Sequence, residues 1–389
     1  MRIIKVLLPL LLLAVFSIYL RINYESLPVA VGSAMQFLPF LLAALALLFT
    51  VYFNQGRLLH LSVLLLLLFI ALGQAWLEPT VHLTVVGVLL PLLILLLMLL
   101  PEQGVTTGRA FAVHAVVLIS LAFMWWLTDH EPAWLNDYLM HDWLPVRYFD
   151  WTAVPQTVWM SGILVFLCLL MLLALRQDVI TTAGLGVVIV TMLLLHEQMH
   201  EISRVVFTSA AFLLLLFSVL QLSWRMAYLD ELTGLPGRRA LREKLRGLMG
   251  IYTIAMVDVD HFKKFNDRYG HDTGDEVLRM VAAKLKQVPG GGSAFRYGGE
   301  EFTLVFPGKG IDDAKPYAEA VRETIANSAF VINRQSGGKK PSSKNKTAQI
   351  TVSVGLADSI TNASTDATLK QADKALYKAK KRGRNRVSV

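Results

Sequence analysis

Long apolar blocks occur in only one part of this chain, and this uneven distribution indicates much of its fold class. Blocks long enough to cross a bilayer crowd the part before Arg225, and none follows it. The chain of 389 residues is 54% apolar, too hydrophobic for an ordinary soluble protein and long enough for two domains. The sequence therefore predicts a multi-span α-helical membrane domain over 1–225 and a second domain over 226–389.

Eight apolar segments are predicted to be helices, and all but the first are of spanning length. They are Val6–Leu20, Ala34–Phe53, Leu58–Trp76, Val81–Leu100, Ala110–Thr128, Thr157–Leu175, Val179–Leu195 and Val205–Trp224. The first is short and follows Arg2 and Lys5, so it is also consistent with a cleaved signal peptide, which would leave seven spans.

The basic residues near the span ends favour one orientation of the membrane domain. Cytosolic loops of membrane proteins are enriched in Lys and Arg. With the N-terminus inside, the cytosolic side carries Arg2, Lys5, Arg57, Arg109, Arg176 and Arg225, against Arg21, Arg147 and Arg204 outside. This bias predicts a cytosolic C-terminal domain and an outward-facing loop over Asp129–Gln156.

His196 and His200 belong to an H-E-x-x-H pattern, which on a helix can place two imidazoles around zinc. The pattern lies at the predicted outer end of a span, and no third ligand is evident nearby in the sequence. A metalloprotease, a sensory metal site and a solvated helix end are all consistent with it. Whether these histidines bind metal stays open, and the isolated His60, His82 and His114 are interpreted as packing or helix-contact residues.

Charge divides at the same place as hydropathy. Up to Tyr228 there are 9 Lys and Arg against 11 Asp and Glu, and from Leu229 onward 28 against 18, so the two parts carry −2 and +10. A basic C-terminal domain suits an anionic ligand such as a nucleotide, but it equally suits an anionic membrane surface or simple solubility. The only cysteine, Cys168, excludes an intrachain disulfide.

The C-terminal part alternates short β-rich runs with amphipathic helices, which is typical of an α/β domain. Predicted strands are Tyr252–Val257, Ala294–Tyr297, Phe302–Phe306 and Gln349–Leu356, and predicted helices are Asp275–Leu285 and Leu369–Lys381. The second and third strands flank two glycines and form a predicted hairpin. Arg334–Lys346 is rich in Gly, Ser and Lys and is predicted to be a flexible surface insertion of unassigned role.

Two parts of this domain carry residues suited to phosphate chemistry. The first strand leads into Asp258, Asp260 and a helix start with Lys263, where carboxylates can hold Mg²⁺ and free backbone N–H groups can bind phosphate. The hairpin glycines Gly298 and Gly299 allow a substrate close to the backbone. Glu300 and Glu301 follow them, so Asp258 and a hairpin glutamate form a plausible metal pair for nucleotidyl transfer.

These segments, taken in order, resemble the GGDEF-domain diguanylate cyclases. The matching runs are Asp230-Glu231-Leu232-Thr233-Gly234-Leu235-Pro236, Asp258-Val259-Asp260-His261-Phe262-Lys263 with Asn266-Asp267, Gly270-His271-Asp272-Thr273-Gly274-Asp275, Arg296-Tyr297-Gly298-Gly299-Glu300-Glu301-Phe302, Thr351-Val352-Ser353-Val354-Gly355 and Ala372–Lys380 with Gly383-Arg384-Asn385. The resemblance covers roughly 160 residues, one domain's worth, and leaves the spans unexplained.

The resemblance implies a ferredoxin-like palm similar to nucleotide cyclases and specific roles for individual residues. Asp258, the Val259 carbonyl and Glu300 would hold Mg²⁺ or Mn²⁺, and Glu300 with Glu301 would be catalytic. The implied substrate-binding residues are Asn266, His271 and Asp275 near guanine, Lys263, Lys380 and Arg384 at the triphosphate, and Arg296, Gly298 and Gly299 at the signature.

The resemblance also implies what the protein does and with what. It predicts condensation of two GTP into cyclic di-GMP with release of pyrophosphate, by a homodimer in a bacterial inner membrane, without nucleic acid as a partner. The membrane domain would sense a ligand or partner protein that the sequence does not identify. The family's product-inhibition motif, Arg-x-x-Asp, is replaced here by Pro289 and Gly292, which predicts loss of that site.

Two alternative functions remain open on the sequence. A degenerate domain could only bind GTP or cyclic di-GMP, although the intact Gly298–Phe302 signature argues against this. A transporter with a regulatory cyclase-like tail would explain the many spans. Product analysis after incubation with GTP would discriminate the first alternative, and flux assays on reconstituted protein the second.

Overall fold

The protein is described here from a computed structural model, over residues 2–23, 28–73, 81–130, 132–196, 200–332, 346–362 and 364–389. The chain divides into two compact units, Met1–Ser223 and Trp224–Val389. We call them the membrane unit and the C-terminal unit and describe each by itself.

The membrane unit is helical. Its described helices are α1 (Arg2–Asn23), α2 (Val29–Met35), α3 (Leu38–Tyr52), α4 (Gly56–Gly73), α5 (Val81–Leu99), α6 (Gly108–His130), α7 (Ala133–Leu139), α8 (Gln156–Arg176), α9 (Val179–His196) and α10 (Glu201–Tyr228). A single 3₁₀ turn, Val146–Tyr148, precedes α8. Helix α10 continues past Ser223 into the C-terminal unit.

Seven helical segments within the described residues are long and apolar enough to cross a membrane, which confirms a multi-pass membrane domain. The segments are Val31–Tyr52, Gly56–Gly73, His82–Leu99, Gly108–His130, Gln156–Arg176, Val179–His196 and Glu201–Tyr228. The predicted first span, Val6–Leu20, lies within α1, whose apolar segment Leu8–Asn23 is shorter than a span. The described residues therefore give seven candidate spans where eight were expected.

Helix α9 is buried along nearly its whole length, whereas α6 and α8 expose many apolar side chains. Without a hydrophobic driving force between helices in lipid, close approach depends on small residues. Gly162 and Gly184 serve this purpose, because a Cβ at either would lie within 3 Å of Met192 or Met98. The exposed apolar faces of α6 and α8 are those expected to face lipid.

The C-terminal unit is an α/β domain, as predicted. Its helices are α11 (Arg238–Arg246), α12 (Phe262–Tyr269), α13 (His271–Leu285), α14 (Ile311–Ala326) and α15 (Thr365–Lys381). Its strands are β1 (Tyr252–Val259), β2 (Ser293–Gly298), β3 (Glu301–Pro307), β4 (Ala329–Ile332), β5 (Lys346–Gln349), β6 (Val352–Asp358) and β7 (Val387–Ser388).

Five strands form one sheet in the order β2-β3-β1-β6-β7, and β4 pairs with β5 separately. Strand β1 is central and antiparallel to both β3 and β6. Its side chains alternate between two cores: Ile254 and Met256 pack with α11 and α15, while Ala255 and Val257 pack with α13 and α14. This alternation fixes the register of β1, so Asp258 lies at its far end opposite Glu301 and Ser353.

One strand prediction was wrong. Gln349–Leu356 was predicted to be a single strand, but Gln349 ends β5, which pairs with β4, and β6 begins at Val352 in the main sheet. Periodicity cannot show this division, because both strands are β-rich and only two residues separate them. The predicted insertion Arg334–Lys346 lies outside the described residues except for Lys346, the first residue of β5.

Candidate active site

The signature turn is held in place from the start of the C-terminal unit. Arg296 donates to Asp230 Oδ1 at 2.7 Å and, through Nε and Nη2, to the Gly299 carbonyl at 3.1 and 2.6 Å. Asp230 also accepts the Thr233 amide and hydroxyl, which closes the opening turn. Arg296 therefore ties the chain just after α10 to the turn that carries Glu300.

The Asp230–Arg296 pair predicts a pH-dependent contribution to stability. Burial works to raise the pKa of Asp230, but hydrogen bonds from Thr233 and Arg296 outweigh it and leave this pKa below its ordinary value. A lowered folded-state pKa stabilises the fold above the unfolded pKa of about 3.9, and the stabilisation is lost as pH falls through the folded pKa. We expect Asp230→Asn to cost about 1–2 kcal/mol at pH 7 and less below pH about 3.5.

Urea unfolding of a Trp224–Val389 fragment at the two pH values measures this difference. Glu231→Gln is the matched control, because Glu231 is exposed and adjacent in sequence. Equal stability of Asp230→Asn and wild type at neutral pH would contradict the assignment.

The hairpin presents its glutamates beside the end of β1. Residues Gly299 and Glu300 form a two-residue turn between β2 and β3, and Gly299 has a φ of 50° that favours glycine. A Cβ at Gly298 or Gly299 would meet open space, so the backbone here is uncovered. The Val259 amide donates to the Glu300 carbonyl at 3.3 Å, which joins this turn to the end of β1.

Asp258 is the most buried of the acidic residues at this position, with 4% of its surface exposed. Lys380 of α15 lies 2.8 Å from its Oδ2. Burial raises the pKa of Asp258, although Lys380 opposes the shift. Burial and the nearby Asp258 charge also raise the pKa values of Glu300 and Glu301. The three carboxylates Asp258, Glu300 and Glu301 together carry more negative charge than Lys380 neutralises. A cation bound beside them would therefore be stabilised.

The predicted metal ligands are compatible with this arrangement but are not a three-carboxylate site. No group of three or more His, Cys, Asp or Glu side chains in the described part of the chain is arranged to hold a metal ion. The predicted set uses two carboxylates, Asp258 and Glu300, and the Val259 carbonyl. Hard oxygen donors of this kind suit Mg²⁺, which usually retains several water ligands.

Within the described residues, neither His196 nor His200 belongs to a group of three or more side chains that could hold a metal ion. Helix α9 ends at His196 and α10 begins at Glu201, so the two histidines do not lie on one described helix. His196 Nδ1 instead lies 3.1 Å from the Thr152 hydroxyl, with Trp151 and Trp159 beside the ring. Residues 197–199 lie outside the described residues.

The residues predicted to bind guanine lie where α12 meets α13. The Asn266 side chain packs against Gly274, where a Cβ would fall only 1.9 Å from Asn266 Oδ1. This oxygen is buried and has no hydrogen-bond partner among the described residues. Asp275 is half-buried on α13, and His271, its first residue, is exposed. An unpaired buried acceptor is costly unless a ligand donates to it, which fits a guanine edge.

The predicted phosphate-binding residues come from two places. Lys263 is exposed on the first turn of α12, which begins directly after His261 in a left-handed conformation. Lys380 lies on α15 and Arg384 just after it, and the Arg384 charge acts on Asp258 to lower its pKa against the dominant effect of burial. Both Lys380 and Arg384 therefore lie near Asp258. No contact within the described residues joins Lys263 to them.

Asp230 was given no role of its own from the sequence, and Asp260 was counted only among the carboxylates that follow the first strand. Asp260 accepts hydrogen bonds from Thr351, Ser353 and the Asn385 amide. The available signal was an aspartate two residues after Asp258 and two hydroxyl residues spaced two apart at the start of β6. Its pairing partners are 91 to 125 residues away, which local patterns do not reveal.

Comparison with known proteins agrees with this geometry. The family model "Diguanylate cyclase, GGDEF domain" matches residues 227–386. Residues 227–386 belong to the GGDEF family. The predicted family and fold class are thereby confirmed, while the individual residue roles stay predictions.

Several relatives are similar over this region. Diguanylate cyclase VdcA of Vibrio cholerae is 39% identical over 165 residues, which are 41% of this chain and 46% of that protein. Diguanylate cyclase DgcM of Escherichia coli is 37% identical over 169 residues, 41% of this chain and 38% of that protein. The chain thus spans less than half the length of these curated relatives.

Among solved structures, the coiled coil and GGDEF domain of DgcB from Caulobacter crescentus in complex with c-di-GMP is 33% identical. It covers 43% of this chain and 88% of that one, with a TM-score of 0.38.

Proposed function

We propose that this GGDEF protein is a membrane-anchored diguanylate cyclase that converts two GTP into cyclic di-GMP and two pyrophosphates. The observation that carries the proposal is the intact Gly298-Gly299-Glu300-Glu301 turn, joined to the end of β1 beside the buried Asp258–Lys380 pair. In a domain of this family, this arrangement provides the carboxylates and cations that nucleotidyl transfer requires.

The residues divide the work as follows. Mg²⁺ or Mn²⁺ held by Asp258, Val259 and Glu300 would supply charge neutralisation at the triphosphate. Lys380 and Arg384 add positive charge beside the leaving pyrophosphate. Asn266 and Asp275 would orient the guanine, and Glu300 would accept the proton of the attacking 3′-hydroxyl. Each new phosphodiester forms as one pyrophosphate leaves, so two half-sites complete the ring.

Mass analysis of the products after purified protein is incubated with GTP and magnesium tests the proposal. Cyclic di-GMP and pyrophosphate in a 1:2 ratio are expected. Bound but unchanged GTP would instead favour a degenerate receptor domain. Solute flux through reconstituted protein, without product, would favour a transporter with a regulatory tail.

Product inhibition through the family's usual site should be absent. Pro289 and Gly292 replace the charged residues, and a Cβ at Gly292 would lie 2.7 Å from Phe306 and 2.9 Å from Val288, leaving no room for a carboxylate. We expect initial rates to persist at high concentrations of cyclic di-GMP, because neither Pro289 nor Gly292 supplies a charged group that could bind its phosphates. Submicromolar non-competitive inhibition by cyclic di-GMP would contradict this expectation.

The proposed enzyme lies in a bacterial inner membrane with its C-terminal unit in the cytosol, where GTP is. The support is the excess of basic residues at one set of span ends. A topology reporter inserted within Asn136–Asp142 should score as extracytoplasmic, and one after Val389 as cytoplasmic. The reverse pattern would overturn the orientation and separate the enzyme from its substrate.

The membrane unit is proposed to receive a signal and to set the geometry of the dimer. A cavity of about 520 Å³ between α4, α5 and α6 supports a small amphiphilic ligand. Its walls are mostly apolar, and His82, Thr128 and Asp129 line it as well. Filling it with Leu68→Trp should alter the cyclase activity of the full chain in bilayers. A Trp224–Val389 fragment, which lacks the cavity, gives the reference activity without the membrane unit. Unchanged activity in bilayers would argue against this cavity as the signal site.

A further inference from the structure

The segment after α15, residues 382–386, has an unusual backbone, and we call it the C-terminal hook. Gly383, Arg384 and Asn385 have φ values of 105°, 64° and 45°. Left-handed backbone conformations are unfavourable for L-residues. Two consecutive non-glycine residues in this region therefore need contacts that hold them there.

Asp260 supplies one such contact. Its Oδ2 accepts the Asn385 backbone N–H at 3.0 Å and the Thr351 hydroxyl at 2.8 Å. Its Oδ1 accepts the Ser353 hydroxyl at 2.6 Å, and its own N–H donates to the Thr351 carbonyl at 2.9 Å. Thr351 and Ser353 therefore fix the orientation of the Asp260 carboxylate that accepts the N–H of the hook.

Helix α14 and strand β6 hold the rest of the hook. Arg322 of α14 donates to Asn385 Oδ1 at 2.7 Å, and Glu319 pairs with the same guanidinium. The Arg386 carbonyl accepts the Val354 amide at 2.9 Å, where β7 begins to pair with β6. The hook is therefore fixed from three directions, and among the described contacts only that of Asp260 comes from the segment directly after β1, the strand that carries Asp258.

The hook carries Arg384, one of the two cations near Asp258. Its backbone N–H caps α15 by donating to the Ala379 carbonyl at 3.1 Å, so its position depends on the hook conformation. We propose that Asp260 is a positioning residue that holds the hook so that Arg384 faces the triphosphate. This inference rests on the proposed function, because it takes GTP as the ligand.

Binding measurements on the full chain in lipid nanodiscs distinguish a positioning role of Asp260 from a general contribution of Asp260 to stability. GTP and guanosine share the base and ribose, but only GTP has the phosphates that Arg384 would contact. We expect Asp260→Ala to weaken GTP binding by about tenfold, the loss expected for one charge-assisted contact, and to leave guanosine binding unchanged. The double variant Asp260→Ala/Arg384→Ala should bind GTP only slightly more weakly than Arg384→Ala alone, because both substitutions remove the same contact with the phosphates.

A matched pair at Asn385 tests the hook without touching Asp260. Asn385→Gly keeps the N–H donor and tolerates the left-handed backbone, and it loses the Arg322 contact just as Asn385→Pro does. If the Asp260 contact is the one that positions Arg384, GTP affinity in Asn385→Gly should stay near that of wild type. Asn385→Pro removes the donor and fixes φ near −65°, so it should reproduce the Asp260→Ala loss.

Two results would overturn the proposal. One is GTP affinity within twofold of wild type in both Asp260→Ala and Asn385→Pro. The other is an equal loss of guanosine and GTP binding, which indicates general destabilisation. Because the readout is binding, wild-type protein that binds GTP but makes no cyclic di-GMP would refute the proposed function without deciding this point.

Discussion

Replacing Glu300 by glutamine is expected to lower cyclic di-GMP formation more than about 100-fold, the effect of removing a metal-site carboxylate. A neutral amide is a poor magnesium ligand and cannot accept the proton of the 3′-hydroxyl. Initial rates with GTP and magnesium, measured on the full chain in bilayers, give the effect.

Stability should not fall in parallel with activity. Burial and the Asp258 charge both raise the pKa of Glu300, so its ionised form is disfavoured in the empty fold. The amide removes that repulsion, and the folded protein should be at least as stable as wild type. Loss of activity together with unfolding would show only a damaged domain.

Glu231→Gln is the matched control, since Glu231 is an exposed glutamate of the same unit. It should retain near-normal turnover. Near-normal turnover in Glu300→Gln as well would remove Glu300 from the metal set and leave Asp258 without its predicted partner.

The spans were predictable because a bilayer imposes one dominant requirement, a long apolar helix. Predicted Thr157–Leu175 and observed α8, Gln156–Arg176, differ by one residue at each end. The H-E-x-x-H pattern needs both histidines on one helix, and residues 197–199 between them lie outside the described residues, so metal binding by His196 and His200 stays untested. The packing of Gly162 against Met192 depends on which helices are neighbours, and the sequence does not state this.

In the C-terminal unit, the elements around the signature followed from alternation and turn residues. The paired hydroxyls Thr351 and Ser353 show why the rest did not. In the sequence they look like ordinary residues of a β-rich run, and their partner Asp260 lies more than 90 residues earlier. Long-range polar contacts are decided by the sheet order, which hydrophobic periodicity alone does not give.

Asn266 is a case in which a resemblance and the structure support each other without proving a role. The resemblance assigned it to guanine on motif position alone. The structure adds a buried Oδ1 without a partner in the described residues and a glycine, Gly274, that leaves room for it. Burying an acceptor in this way is costly unless a ligand pairs with it.

Attachment to a membrane domain should promote catalysis if the proposed cyclase works as a dimer. One C-terminal unit has a single signature turn, yet cyclic di-GMP contains two guanosine units joined by two phosphodiesters, so the proposed reaction would require two units that face each other. Helix α10 runs without interruption from Glu201 to Tyr228 and enters the C-terminal unit, so the connection is helical rather than a flexible linker. If membrane units associate, they hold two cyclase units at an effective concentration that can reach about millimolar.

A Trp224–Val389 fragment, which has its own hydrophobic cores, should therefore show specific activity that rises with protein concentration, whereas the full chain in bilayers should not. The measurement is initial rate per mole of enzyme over a dilution series for both proteins. At nanomolar enzyme the fragment should lose most of its activity, because a weak dimer dissociates when its concentration falls far below the dissociation constant. A fragment whose specific activity stays flat and equal to that of the full chain would show that the membrane unit is only an anchor, since association through the spans would then add nothing to catalysis.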